Sequence, residues 1–215
     1  MAKRRMPRSK TEPKRTRDAD RTRKVILEAA FAEIYRHGFQ AASVANILKN
    51  TRVTKGAFFH HFPTKKALGY AVVEEVIAQM IRAQWVVPLS KSDDALRTIL
   101  DEFRKGIDFL ATAPVNLGCP LNNLAQEMSP IDKGFQRRTQ RVFDLWVGCF
   151  AEALERGRAA KRIKRSVNAK ETALYLVSQI EGMLSLSKNA QSADVLRVGW
   201  RSMKAFVETL KPAAG

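Results

Sequence analysis

Residues 54 to 66 bring together side chains that can meet a polyanion. Lysine and histidine donate hydrogen bonds to phosphate oxygens, and lysine also reaches the acceptors of guanine. Small residues let a helix backbone approach a nucleic acid closely, and the methyl group of an alanine can contact that of thymine. The residues with these properties are Thr54, Lys55, Gly56, Ala57, His60, His61, Lys65 and Lys66. The chemistry that this pattern predicts is recognition of DNA without covalent change.

Two short helices joined by a tight turn would position these side chains. Ser43 is a suitable N-cap for the first of them, and residues 50–52 form the turn. The second helix is predicted from Thr54 to about His60, and two turns of helix need support from their neighbours. A preceding helix from about Asp20 to His37, ended by Gly38, supplies that support. This is the order of a helix-turn-helix, whose second helix enters the major groove.

The charge of the chain favours a polyanionic partner. The formal net charge is +17, and residues 1–24 hold eleven lysines and arginines against three acidic residues. Residues 1–19 lack apolar periodicity and are predicted to be a disordered basic arm. Such an arm attracts DNA because neutralised phosphates release counterions, or it serves only as a solubilising tail. A membrane-surface role is disfavoured because no apolar face accompanies the charge.

Composition argues against several other classes of protein. No apolar run reaches ~18 residues and no signal-peptide core follows the basic N-terminus, so a soluble, cytoplasmic protein is expected. Cys119 and Cys149 are too few for a disulfide framework, and three histidines without ligand spacing predict neither a metal nor another cofactor. A thiol enzyme using Cys119 is disfavoured because all three histidines lie within the first 61 residues.

The rest of the chain predicts an all-α fold. A long helix is expected from Thr64 to about Trp85, and others over residues 96–110, 121–128, 132–160, 169–188 and 192–210. We therefore divide the chain into the arm at 1–19, a three-helix helix-turn-helix domain at 20–64, and a helical-bundle domain for ligand binding and dimerisation at 65–215.

The stretch from Arg23 to Leu68 resembles the DNA-binding domain of the TetR family of bacterial transcriptional regulators. The resemblance rests on RKVILEAA at 23–30, HGF at 37–39, VTKGAFFHHF at 53–62 and KKAL at 65–68. It implies DNA contacts from Arg23, Ser43, Thr54, Lys55, Gly56, Ala57, Phe59, His60, His61, Lys65 and Lys66. Phe59 replaces the family's usual phosphate-binding tyrosine, which removes about one hydrogen bond, ~0.5–1.5 kcal/mol. Thr51-Arg52 replaces the usual Ala-Gly in the turn.

The resemblance also implies a ligand-responsive regulator, most simply a repressor. It would bind a palindromic operator as a homodimer through its last two helices, and a small-molecule effector would release it. Candidate interface stripes are Ala173, Leu176, Val177, Ile180, Met183 and Leu184 on one helix and Leu196, Gly199, Trp200, Met203, Phe206 and Leu210 on the other. The alternative is that both stripes face their own subunit's core. Dimerisation is favoured because Val195 and Val198 extend the apolar surface of the last helix to a second face, and because small residues permit close helix approach: Ser178, Gly182, Ser185 and Gly199. Binding of nucleic acid by charge alone would leave the ordered helix unexplained.

Residues 118–129 resemble the Gly-Cys-X-X-X-Asn-Leu-X-X-Glu segment of one subset of the family, where it lies beside the ligand cavity. Cys119 precedes a short helix whose N-terminus can lower a thiol pKa, so a covalent trigger at Cys119 is an alternative to reversible effector binding. Cys119 can equally be a buried small apolar residue. For a mostly apolar pocket in the bundle, the candidates are Phe103, Ile107, Cys119, Asn122, Gln126, Phe143, Trp146, Phe150, Gln179 and Met183.

Overall fold

The computed structural model describes residues 14–49, 51–112 and 116–213, and within them every regular element is helical. The all-α prediction is therefore confirmed. The helices are α1 (Lys14–His37), α2 (Val44–Lys49), α3 (Lys55–His61), α4 (65–90), α5 (Ala95–Thr112), α6 (Pro120–Met128), α7 (Lys133–Ala159), α8 (Ala169–Ala190) and α9 (Asp194–Thr209). None of these helices is long and apolar enough to cross a membrane.

Helices α1, α2 and α3 form an N-terminal head around a small core. Ile26, Ile47 and Phe58 are all buried there. The short helices start where hydrogen-bonding side chains cap them: the Ser43 hydroxyl accepts from the Asn46 amide at 3.1 Å, and the Thr54 hydroxyl from the Ala57 amide at 3.2 Å. The predicted helix-turn-helix is confirmed, apart from Asn50 in its turn, which lies outside the described residues.

The first helix begins earlier than the sequence pattern predicts. It starts at Lys14 rather than Asp20, so residues 14–19, which the sequence analysis places in the basic arm, belong to α1. Lysine and arginine have high helix propensity, and they can extend a helix without contributing an apolar face. Residues 1–13 lie outside the described part of the chain. At the other end, Gly38 adopts φ 85°, a left-handed conformation that glycine reaches at little cost, and this ends α1 as predicted.

Helix α4 joins the head to the C-terminal bundle and is longer than predicted. It continues past Trp85 to Ser90 and contains two π-helical segments, Val72–Ile77 and Arg82–Val86. The backbone hydrogen bonds change register at Val86. Pro88 then falls in the first turn of the next segment, where no amide donor is needed, so the proline does not end the helix.

The C-terminal bundle closes around large aromatic residues. The rings of Trp85 and Trp146 stack with centroids 5.5 Å apart, and Phe150 meets the Trp85 ring edge-on at 5.1 Å. Helix α8 packs along α7 and α9, and it ends at Gln191, a left-handed residue with φ 48°. The sequence placed this break near Asn189.

The head is tied to the bundle through the turn after α1. The Glu127 carboxylate on α6 accepts hydrogen bonds from the backbone amides of Phe39 and Gln40, at 2.8 and 2.7 Å. The Lys65 ammonium at the start of α4 donates to the carbonyls of Phe39, Gln40 and Ala42, at 2.9, 3.1 and 2.7 Å. The polar backbone of residues 39–42 is thus held from two sides, by an anion on its amides and a cation on its carbonyls.

The two apolar stripes considered for a dimer interface belong to the core of their own subunit. Ala173, Leu176 and Leu196 are fully buried, and the Trp200 indole donates to the Leu100 carbonyl of the same chain at 3.1 Å. Gly199 faces the Met183 side chain, so its small size serves internal packing. The buried members of both stripes therefore face the core of their own subunit, as the intrasubunit alternative predicts.

Packing around Gly69 generates a stability prediction. A Cβ atom there would lie 2.5 Å from the Phe39 ring and 2.7 Å from the Phe135 ring. Gly69→Ala should lower the free energy of unfolding by about 1–3 kcal/mol, measured by urea denaturation at fixed protein concentration. The matched control is Gly148→Ala on α7, where a Cβ would meet nothing within 4 Å; it should be neutral or stabilising by up to ~1 kcal/mol. Equal effects of the two substitutions would contradict this packing.

Candidate nucleic-acid interface and ligand pocket

Helix α3 has one buried side and one open side. Phe58 and Phe62 anchor it in the head, whereas Lys55 and Gly56 are exposed. A Cβ atom on Gly56 would meet nothing nearer than the Thr54 hydroxyl at 4.0 Å, so internal packing does not require glycine at this position. Ala57 is half-buried at the edge of the open side. This face combines a cation with small side chains, which let the helix backbone come close to a nucleic acid.

Exposed polar groups surround this face. Thr54 is exposed, and its hydroxyl caps α3; Ser43 is half-buried, and its hydroxyl caps α2. The N-termini of α2 and α3 thus lie beside the open surface, where their backbone amides can donate to phosphate oxygens. Lys49 and Arg52 are also exposed on either side of the turn. The sequence reasoning did not include Lys49, although a basic residue in the last turn of the preceding helix is a usable signal.

The aromatic and imidazole residues of α3 lie at its far end. Phe59 is 42% exposed, and its ring packs edge-on against Phe58 at 5.1 Å. His60 is exposed and His61 half-buried, with ring centroids 5.4 Å apart. Lys66 is exposed, although its ammonium lies 3.4 Å from the Asp132 carboxylate. An exposed pair of this kind contributes little and leaves the ammonium available to another anion.

Two predicted DNA-contact residues are engaged inside the molecule instead. Lys65 holds the backbone of residues 39–42, as described above. Arg23 forms a two-pronged ion pair with Glu75 on α4, and its guanidinium lies 5.1 Å from the centre of the Phe62 ring. The Glu75 partner raises the pKa of Arg23, and Arg23 lowers the pKa of Glu75. We leave both cations out of the candidate surface because these partners already hold them. Sequence spacing could not show the partners, which are distant in the chain.

The bundle contains a mostly apolar pocket of about 340 Å³, which we call the apolar pocket. Of the predicted lining residues, it brings together Phe103, Ile107, Cys119 and Trp146. Other walls come from Trp85 on α4 and Tyr35 on α1, which the sequence reasoning missed. Nothing in the spacing of α1 indicates that Tyr35 reaches the bundle. Its hydroxyl donates to the Gly118 carbonyl at 2.5 Å, and burial raises the pKa of Tyr35 to about 12.

The other predicted pocket residues lie elsewhere. Asn122 and Gln126 line a second, more polar space of about 620 Å³ between α1 and α6, which we call the polar cleft. Phe150 is buried beneath Trp85, Met183 packs on Gly199, Phe143 is half-buried against the core, and Gln179 is exposed on α8. Helical periodicity identifies an inward face but does not separate a pocket wall from close-packed core. These four residues do not line the apolar pocket, and their part in ligand binding stays a prediction.

Cys119 lies at the N-terminus of α6, as predicted, but its surroundings oppose ionisation. Burial raises the pKa of the Cys119 thiol well above its ordinary value, and the nearby Glu181 carboxylate adds to that rise. Backbone amides of Asn122 and Leu121 act in the opposite direction with smaller effect. Glu181 itself is buried, neither of its oxygens has a hydrogen-bond partner in the described structure, and burial raises its pKa to about 7.

A helix-turn-helix head with an open cationic helix, joined to a helical bundle that encloses a pocket, defines a DNA-binding regulator of transcription. Family models agree with this geometry over most of the chain. Residues 26–72 match the bacterial regulatory proteins of the tetR family, and residues 93–199 match the C-terminal domain of LmrA/YxaF-like transcriptional regulators. The protein belongs to the TetR family of transcriptional regulators. The matched families contain regulators of transcription rather than enzymes.

Several known proteins resemble the chain over most of its length. A helix-turn-helix transcriptional regulator from the lacX 3′ region of Lactococcus lactis is 27% identical over 87% of this chain and 93% of the relative. The repressor DhaR of Mycobacterium sp. (strain GP1) is 24% identical over 81% of this chain and 86% of the relative. The crystal structure of reduced Escherichia coli NemR superimposes with a TM-score of 0.80 at 22% identity, covering 90% of this chain and all of that one. The last comparison establishes the shared fold.

The buried Glu181 carboxylate generates a pH prediction. Its folded-state pKa of about 7 lies above the unfolded value, so the folded state holds a proton that the unfolded state has lost. The contribution of Glu181 to stability should therefore fall by about 3 kcal/mol per subunit between pH 4 and pH 7 and change little above that. Glu181→Gln should remove this fall: in urea denaturation at fixed protein concentration, the variant should match the wild type at pH 4 and exceed it at pH 8.

The control for this prediction is Glu171→Gln, an exposed carboxylate on the same helix. It should shift stability by a similar small amount at both pH values. A Glu181→Gln variant whose difference from the wild type is the same at pH 4 and pH 8 would show that Glu181 titrates normally in the folded protein.

Proposed function

We propose that the protein is a ligand-responsive repressor that binds a palindromic operator as a homodimer. The observation that carries the proposal is the open face of α3. Lys55 and Gly56 face outward, with no described part of the chain covering them, while Phe58 fixes the helix from behind. DNA contacts are assigned to Ser43, Thr54, Lys55, Gly56, Ala57, Phe59, His60, His61 and Lys66, with Lys49 and Arg52 added beside them.

An exposed apolar surface on the last two helices supports the homodimer. Leu174 and Leu186 on α8 are 58% and 63% exposed, and Val198 on α9 is 53% exposed. Gly182 lies between the two leucines, and a Cβ there would meet nothing within 4 Å, so a second helix could approach closely. This is a different face of α8 and α9 from the two stripes, and it includes Val198 and Gly182, which the sequence also indicates. A two-fold axis through it would give half-sites about one DNA turn apart, ~34–36 Å.

Helix α6 supplies a route from the apolar pocket to the head. Gly118, Cys119 and Pro120 line the pocket at its start, and the Gly118 carbonyl accepts from Tyr35 of α1. Glu127 lies at the other end of this helix, which ends at Met128. Its carboxylate accepts hydrogen bonds from the backbone amides of residues 39 and 40 of the head. An effector that displaces the start of α6 would therefore move the turn that supports α2. It must bind the DNA-incompetent state more tightly, or the equilibrium does not shift.

The electrostatics disfavour a covalent trigger at Cys119. A thiol sensor needs a lowered pKa, because the thiolate is the nucleophile. Here both burial and the Glu181 carboxylate raise the pKa of Cys119. Reversible binding of a small apolar molecule is the proposal that these surroundings support.

Removing Lys55 should weaken operator binding. We would select DNA from a genomic library with the full chain and confirm a footprint. Lys55→Ala should then reduce affinity at least tenfold and lower the dependence of binding on salt concentration, because each subunit loses one contact to DNA. Lys170→Ala removes an exposed lysine at the start of α8 and should leave both quantities unchanged. Failure to select any sequence that binds more tightly than random DNA would refute the regulator proposal.

Coupling through α6 can be measured without knowing the effector. Linkage is reciprocal, so if a pocket ligand changes the affinity for operator DNA, operator DNA must in turn change the state of the pocket. In a Cys149→Ser background, operator DNA should slow alkylation of Cys119 by N-ethylmaleimide severalfold. Glu127→Gln removes the charge and places an amide donor against one of the two backbone amides of residues 39 and 40. It should abolish that difference while the variant still binds DNA.

Glu208→Gln, a remote and exposed carboxylate on α9, should retain the effect of DNA on Cys119. If operator DNA changes the Cys119 rate equally in the Glu127→Gln variant and in the wild type, the α6 route is wrong and repression uses another path.

A further inference from the structure

The polar cleft is a second space, distinct from the apolar pocket. It lies between α1 of the head and α6 with the end of α8, and its volume is about 620 Å³. Tyr35 and Pro120 contribute to both spaces and form the wall between them. A volume in this range, at the junction of two bodies, is typical of small-molecule sites.

The cleft has an apolar floor and a polar rim. Phe31, Ile34 and Leu124 contribute apolar side chains to its lining. Amides and basic side chains supply most of the polar lining: Asn122, Asn123, Gln126, Arg36, His37 and Lys188. A ligand that fits this lining has a flat apolar body and a polar end.

The charge of the rim is positive. Glu127 is the one acidic residue among the lining side chains, and both of its oxygens already accept backbone amides of Phe39 and Gln40. Arg36 has no carboxylate within ion-pair distance in the described parts of the chain. The Lys188 ammonium donates only to the neutral Asn123 side chain, at 3.0 Å. His37 lies 3.9 Å from Glu33 and is exposed.

Arg36 and Lys188 come from different bodies of the molecule. Arg36 is in the last turn of α1 in the head, and Lys188 is in the last turn of α8 in the bundle. Both cations lie at helix C-termini, where the backbone carbonyls stabilise the cations but leave their charge uncompensated by a side chain. An anion between them would gain from both, and guanidinium and ammonium groups suit carboxylate and sulfonate oxygens.

We propose that the polar cleft binds an organic anion, with a flat apolar body on the floor and a carboxylate or sulfonate between Arg36 and Lys188. This site is separate from the apolar pocket of the proposed repressor function and does not depend on that function. Since the anion would touch both bodies, its occupancy would reinforce the seating of the head beside Glu127.

The test uses two fluorescent probes that share an apolar body. 8-Anilinonaphthalene-1-sulfonate carries a sulfonate, and N-phenyl-1-naphthylamine has the same rings without the charge. Both are titrated into the full-length wild type, the Arg36→Gln/Lys188→Gln variant, and an Arg165→Gln/Lys170→Gln control. The control removes the same charge from exposed positions outside the cleft. Circular dichroism and urea denaturation establish that all three proteins fold alike.

The sulfonate probe should bind the wild type and the control equally, and the Arg36→Gln/Lys188→Gln variant about tenfold more weakly. The neutral probe should bind all three proteins with the same affinity. The proposal would be overturned if the two double variants bound the sulfonate probe with equal affinity. It would also be overturned if the Arg36→Gln/Lys188→Gln variant lost affinity for both probes by the same factor. Because no DNA is present, these outcomes are independent of the operator experiments.

Discussion

The orientation of α2 and α3 depends on the contacts that hold four residues of backbone in the turn before them. The turn at 39–42 joins α1 to α2, and its amides and carbonyls would be costly to bury without partners. Glu127 satisfies amides from one side, and Lys65 satisfies carbonyls from the other. Because the two charged groups belong to α6 and α4, the turn is fixed to both the pocket-lining helix and the connecting helix. The angle of the head is therefore set by the bundle.

The electrostatics of the pocket region follow from the burial of one carboxylate. Glu181 has no hydrogen-bond partner among the described residues, and it lies beside the Cys119 thiol. Burial raises the pKa of both groups, and the Glu181 carboxylate raises that of Cys119 further, so the thiol stays neutral near neutral pH. The pocket wall therefore contains a cysteine whose reactive thiolate form is disfavoured. Noncovalent recognition of an apolar effector fits such a wall better than thiolate chemistry does.

Local signals in the sequence were sufficient for the head and for the number and order of the helices. Ser43, Thr54 and Gly38 act through contacts within three or four residues, so spacing alone identifies their capping roles. Lys65 and Arg23 could not be assigned in this way because their partners are distant in the chain. Phe103 and Phe150 have the same apolar character, yet only Phe103 lines the pocket. Which buried residue borders empty space depends on the packing of several helices together.

The two π-helical segments of α4 have a mechanical consequence for the link between head and bundle. A π turn is wound more loosely than an α turn, and Val72–Ile77 and Arg82–Val86 place two such turns in one continuous rod. Tightening either segment would twist the end that carries the head against the end embedded in the bundle, while the rod stays helical throughout. The connecting helix can thus act as a torsion element, converting a small change of winding into rotation of the head.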